Sequence, residues 1–121
     1  MRIEYKEIYA ALEYLKAKGW SVILSLDVEI TPTLTIPFMN ITISKNLYLT
    51  IILNDTYYVN AYYKKKFKQI RYSPTGNITT TKEELVRFKN KMNIHEGNLF
   101  MKLVEDLYYF FKPNSINFIM E

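Results

Sequence analysis

Cysteine is absent from the chain, which excludes disulfides, zinc–thiolate sites and thiol catalysis. Histidine occurs once, at His95, with no second histidine at the four-residue spacing of a helical metal site. The three glycines, Gly19, Gly76 and Gly97, stand far apart, whereas a phosphate-cradling loop needs several within one turn. No serine occupies a Gly-x-Ser-x-Gly elbow. Long apolar runs are also missing. The longest uncharged stretch, Ile30 to Ser44, has 15 residues and contains Pro32 and Pro37, short of the roughly 20 apolar residues of a membrane-spanning helix. The start, Met1 to Glu7, mixes charges of both signs and leads into no apolar signal core. These absences lead to the expectation of a cytoplasmic protein with no membrane attachment, no cofactor and no metal.

What remains has the profile of a folded domain. Of 121 residues, 49% are hydrophobic and 23% charged, far from the low-hydrophobicity, high-charge composition of disordered chains. That length fits a single domain over residues 1–121, large enough to fold without disulfides or metal. Ile, Lys, Tyr, Asn and Phe, all encoded by A/T-rich codons, supply 55 residues. The bias points to an A/T-rich genome and, with the small size, to a viral or mobile-element accessory protein. Three glycosylation-type triplets begin at Asn40, Asn54 and Asn77, as expected by chance in a chain rich in Asn and Thr.

Periodicity sets out the elements. Tyr5, Ile8, Tyr9, Leu12 and Leu15 recur at three-and-four spacing, which predicts a helix from about Arg2 to Lys18 closed by Gly19. Trp20, Val22, Leu24, Leu26, Val28 and Ile30 alternate with polar residues, which predicts a strand that Thr31-Pro32-Thr33 ends. From Leu34 to Leu53 the chain reads as extended, broken at Pro37 and at Ser44-Lys45-Asn46. Asn54-Asp55 predicts a hairpin turn into one returning strand from about Thr56 to Tyr72, with Val59, Ala61, Tyr63 and Phe67 inward and Tyr58, Asn60, Tyr62, Lys64, Lys66 and Lys68 outward. Thr80 and Thr81 precede Glu83 and Glu84, a capping-box pattern for a helix from about Lys82 to Met92. Asn93 and Glu96 repeat it for a helix reaching Phe111. Ile116 to Met120 reads as a short edge strand or a tail. The expected fold class is α+β: an N-terminal helix, a three- or four-stranded antiparallel sheet, then one or two C-terminal helices packed on one sheet face.

Two resemblances follow from this order of elements. Helix, strands, helix is similar to the core of the PD-(D/E)xK nucleases, and Asp27 and Glu29, two residues apart on the polar side of the first strand, would bind a divalent ion in such an enzyme. That family also needs an acid-x-lysine triplet on the following hairpin, and Leu47 to Tyr72 contains none. The same order resembles double-stranded-RNA-binding domains, whose last helix starts with a basic run; here that place reads Thr80-Thr81-Lys82-Glu83-Glu84. A metal-dependent nuclease with a degenerate motif therefore ranks behind the binding functions.

Charge is unevenly distributed. Residues 57–91 hold 9 basic and 2 acidic side chains, while residues 1–56 hold 5 and 6 and residues 92–121 hold 2 and 4. The basic segment interleaves lysine with aromatic residues. Lysine neutralises phosphate and tyrosine stacks on unpaired bases, so the leading expectation is a non-catalytic binding domain for nucleic acid. Its expected surface is Tyr48, Tyr58, Tyr62, Lys64, Lys66, Lys68 and Arg71, with no catalytic and no metal-ligating residue. The alternative is protein binding through the same face, which Ile23 and Ile52 make more apolar. An acidic partner, such as a host nucleic-acid-binding protein inhibited by the chain, or a homodimer would then occupy it.

Overall fold

The computed structural model of the chain describes residues 5–31, 34–52, 58–73 and 75–111. Helix α1 (Tyr5–Ala17) leads into five strands, β1 (Ser21–Thr31), β2 (Leu34–Thr42), β3 (Leu47–Ile52), β4 (Tyr58–Tyr63) and β5 (Lys66–Arg71), followed by helices α2 (Lys82–Lys89) and α3 (Ile94–Phe111). The strands form one antiparallel sheet in chain order, β1-β2-β3-β4-β5. The α+β class is as expected. The strand count is higher than expected, and the five-strand meander departs from the helix, three strands, helix order of both resembled families.

The extra strand comes from an unexpected turn. The stretch expected as one strand from Thr56 to Tyr72 folds back at Lys64-Lys65, where Tyr63 pairs with Lys66. Neither residue is a usual turn former, and Lys64 takes a left-handed φ of 54°, a conformation that costs a side-chain-bearing residue about 1–2 kcal/mol. A two-residue turn also reverses the alternation. Tyr62 lies opposite Phe67 and Ala61 opposite Lys68, so Phe67 falls on the face expected for lysine, and Lys66 and Lys68 fall on the face expected for Phe67.

Pro37 was expected to break the chain, yet β2 runs through it. The reason lies in its position. The β1–β2 ladder has a register shift between Ser25 and Val28, where Pro37 sits between their partners Phe38 and Ile36. Among the described residues the β2–β3 pairing runs as far as Phe38, so the missing proline N–H interrupts none of the described ladder pairs. The same shift breaks the strict alternation on which the Asp27–Glu29 pairing depended, and those two side chains lie outside the described residues. So do the Asn54-Asp55 turn and residues 116–120.

One sheet face is covered. Met39, Ile41, Leu47, Leu49, Ile51, Val59, Ala61, Tyr63 and Ile70 are buried in one cluster with Ile8, Ala11, Leu12 and Leu15 of α1, Leu85 and Phe88 of α2, and Phe100, Leu103, Val104 and Leu107 of α3. Each large aliphatic side chain buried there contributes about 1.5–3 kcal/mol. Of the residues expected on apolar stripes, Leu12 and Trp20 are buried, Leu24 is partly buried against the cluster, and the Leu26 side chain lies outside the described residues. Tyr9, assigned to the α1 stripe, is exposed. Directional bonds fix the helices on this face. The Trp20 indole N–H donates to Asp106 at 2.7 Å, and the Tyr72 hydroxyl donates to the Val104 carbonyl at 2.8 Å. Thr81 and Glu84 complete the capping box that starts α2, as their spacing predicts. Gly97 lies close to the Lys89 side chain, which would have to shift by a few tenths of an ångström to admit a Cβ there, 3.0 Å away.

Candidate functional site

The other sheet face is not covered by the described helices, and its composition follows from register. Cross-strand neighbours share a face. Ladder pairs therefore carry one row from Ser21 through Thr42, Tyr48 and Tyr62 to Phe67, and the next from Ile23 through Asn40, Thr50 and Asn60 to Gln69. A third begins with Ser25 and Phe38 at β1 and β2 and ends with Tyr58 and Arg71 at β4 and β5. Among the described side chains of this face there is no Asp or Glu.

The first row is an aromatic platform. The Tyr48 and Tyr62 rings stack with centroids 4.9 Å apart and planes 18° from parallel. Phe67 continues the row, its ring 5.4 Å from Tyr62 and tilted. Tyr48 is 38% exposed and Phe67 54%, and Tyr62 is half-buried between them. The second row is polar. Asn40, Thr50, Asn60 and Gln69 are half-buried, and the Oδ1 atoms of Asn40 and Asn60 are shielded from solvent without a hydrogen-bond partner. These side-chain amides and the Thr50 hydroxyl can both donate and accept.

The structure brings together only part of the expected surface. Tyr48, Tyr58, Tyr62 and Arg71 share the open face. Lys66 and Lys68 belong to the helix-covered side, at the edge of the sheet, because of the turn reversal. Lys68 Nζ is 2.9 Å from a Glu84 carboxylate oxygen. That bond, followed by one from the Thr81 backbone, holds Glu84 well below the usual carboxylate range, at about 2. Lys64 sits in the turn with its ammonium 5.5 Å from the Tyr63 ring centre and acts favourably on the charge of Glu96. Phe67 was assigned to the core and is the residue that sequence reading missed. No local signal marks it, because the Tyr63-to-Lys66 span contains no turn-forming residue.

The end of the sheet next to the aromatic row is stiffened by a buried carboxylate. Glu96 is 7% exposed. It accepts from the Ser44 hydroxyl at 2.6 Å and the Tyr63 hydroxyl at 3.2 Å, while its own N–H donates to Asn93 Oδ1 at 2.7 Å. The Ser44 bond is the main cause that keeps its pKa below the ordinary value, and the same carboxylate, after burial, raises that of Tyr63. The Lys64 N–H donates to the Asn46 carbonyl at 2.9 Å, which sets the β2–β3 and β4–β5 turns side by side. Lys45 and Lys65, both exposed, thus flank the Tyr48-to-Phe67 row at its turn end.

Among the described residues no group of three His, Cys, Asp or Glu side chains is placed to hold a metal, and His95 is exposed on the first turn of α3. No described helix is long and apolar enough to cross a membrane. No protein-family model, curated protein or solved structure matches the chain.

Proposed function

We propose that this chain is a non-catalytic domain that binds single-stranded nucleic acid on the open face of its sheet. The observation that carries the reading is the Tyr48–Tyr62–Phe67 row on a face without a described carboxylate. Aromatic rings exposed on a sheet stack unpaired bases whatever their identity. Asn40, Asn60 and Gln69 run beside that row and offer donors and acceptors to base edges. Lys65, Lys66 and Arg71 line the β5 edge in exposed positions, where phosphates of a bound strand would meet them.

The test is fluorescence anisotropy with labelled single-stranded DNA and RNA against the wild type and Tyr62→Ala. Loss of one stacking platform should weaken binding by about 1–3 kcal/mol and leave the slope of affinity against salt nearly unchanged, since no phosphate contact is lost. A wild type that binds neither polymer at low salt refutes the reading. A second reading, association with an acidic protein or a second copy of the chain through the same face, is favoured by Ile23, 62% exposed on the β1 side. It predicts a concentration-dependent mass in sedimentation, abolished by Ile23→Asp.

A further inference from the structure

We infer that the cleft between β5 and α2 is a phosphate-binding site that receives the backbone of a strand leaving the aromatic row. The inference rests on the nucleic-acid reading for its ligand, but its geometry stands apart from the open face. The cleft has a volume of about 220 Å³ and is lined by Phe67, Lys68, Glu84, Arg87, Phe88 and Lys91. Three cations and one carboxylate therefore face it.

The carboxylate does not cancel the site. Glu84 is already committed to Lys68 at 2.9 Å and to the capping box of α2, so it fixes the lysine in place. Arg87 and Lys91 have no ion pair among the described residues. Lys91 is held over the Phe88 ring, its ammonium 5.8 Å from the centre. A guanidinium with free N–H groups offers a planar fork that matches two phosphate oxygens.

Position supplies the second half of the argument. Phe67 is both the last ring of the aromatic row and a wall of the cleft. β5 lies at the edge of the described sheet, so no described strand separates the open face from the cleft. Lys68, adjacent to Phe67 in the chain, lies on the opposite side of the sheet. A strand with its bases on Tyr48, Tyr62 and Phe67 reaches Lys68, Arg87 and Lys91 by turning around one residue. The turn at Lys64-Lys65 thus places Phe67 on one side of β5 and Lys66 and Lys68 on the other.

The experiment compares wild type with an Arg87→Ala/Lys91→Ala variant, using oligothymidylates of about four and about twelve nucleotides, the span of known single-strand sites. Both substituted side chains lie on or just after α2, with Arg87 and Lys91 exposed, and circular dichroism confirms the fold before titration. Two lost phosphate contacts should reduce the log–log salt slope for the longer oligomer by about 1.4. The same loss weakens binding about 25-fold at 0.1 M salt and leaves no difference near 1 M. The shorter oligomer, held by the rings alone, should bind both proteins equally. The charge-conserving Arg87→Lys/Lys91→Arg variant should keep the wild-type slope. An unchanged slope, or an equal loss for both oligomers, overturns the inference. Should the wild type bind neither oligomer, the stacking reading fails alone, and inorganic tripolyphosphate becomes the probe. Amide shifts at Lys68 and Arg87 that vanish in the double-alanine variant then sustain a site for free polyphosphate, and their absence in the wild type overturns it.

Discussion

Removing the Glu96 carboxylate should loosen three elements at once, and the cost can be worked from its bonds. Glu96→Ala deprives the Ser44 hydroxyl, 2.6 Å away, and the Tyr63 hydroxyl, 3.2 Å away, of their acceptor. Tyr63 is only 6% exposed, so its hydroxyl has little access to water as a replacement, and a buried donor left unpaired costs about 1–3 kcal/mol. Ser44 is half-buried and can recover part of its bond from solvent, which leaves about 0.5–1.5 kcal/mol. The total, about 1.5–4.5 kcal/mol, should lower the urea midpoint by about 1–2 M at a slope of about 2 kcal/mol/M. Glu96→Gln keeps one acceptor oxygen and should cost less.

Acid separates charge from shape. The folded-state pKa of Glu96 is held below its ordinary value of 4.5, first by the Ser44 bond. Its charge therefore stabilises the fold fully above the ordinary value, and that contribution is lost as pH falls through the folded value. The gap between wild type and Glu96→Gln should be largest near neutral pH and should shrink in acid, followed by urea titration at each pH. A gap that stays constant, or a Glu96→Ala midpoint within about 0.2 M of wild type, would refute the clamp.

Three other outcomes follow from the fold. Leu103→Ala, at a fully buried position where α3 meets the sheet, should cost about 2–5 kcal/mol in urea unfolding. Thr81→Ala removes the α2 cap and should cost about 1 kcal/mol; the linked stabilisation from Glu84 is present above pH 4.5 and is lost as the pH falls toward about 2. Lys64→Gly relieves the left-handed strain at φ 54° and should raise stability by up to about 1 kcal/mol, with a thermal midpoint that falls instead counting against the turn.

How far the sequence can be read here depends on which forces leave a local mark. The helices were legible because caps and apolar stripes are local: Thr81 with Glu84, Asn93 with Glu96, and Leu103 with Leu107 are all neighbours in sequence. β1 and the break at Ser44-Lys45-Asn46 were legible for the same reason, through alternation and turn-forming residues. The β4–β5 turn was not, because Lys64-Lys65 carries none of the glycine or asparagine that normally marks a left-handed position. What holds that turn comes from elsewhere in the chain: the Asn46 carbonyl that accepts from the Lys64 N–H, and the ladder that pairs Tyr63 with both Leu47 and Lys66.

That single non-local turn decides the site. Alternation within a strand assigns every residue to a face, so a hidden reversal misassigns every residue beyond it. The tyrosines before the turn, Tyr58 and Tyr62, kept their expected face, and Lys66, Phe67 and Lys68 after it exchanged faces. Arg71 reached the open face alongside Tyr58, where alternation through an unbroken strand would have placed it inward. A basic aromatic run that reads as one mixed surface thus divides between the two sides of β5. The rings of Tyr48, Tyr62 and Phe67 gather on the open face, and Lys68 joins Arg87 and Lys91 in the cleft behind the β5 edge. Stacking and phosphate binding make different physical demands. Rings need a flat and accessible support, while cations act at the rim where the charged backbone runs, so their separation across one edge strand is the arrangement that a single strand wrapping that edge would use.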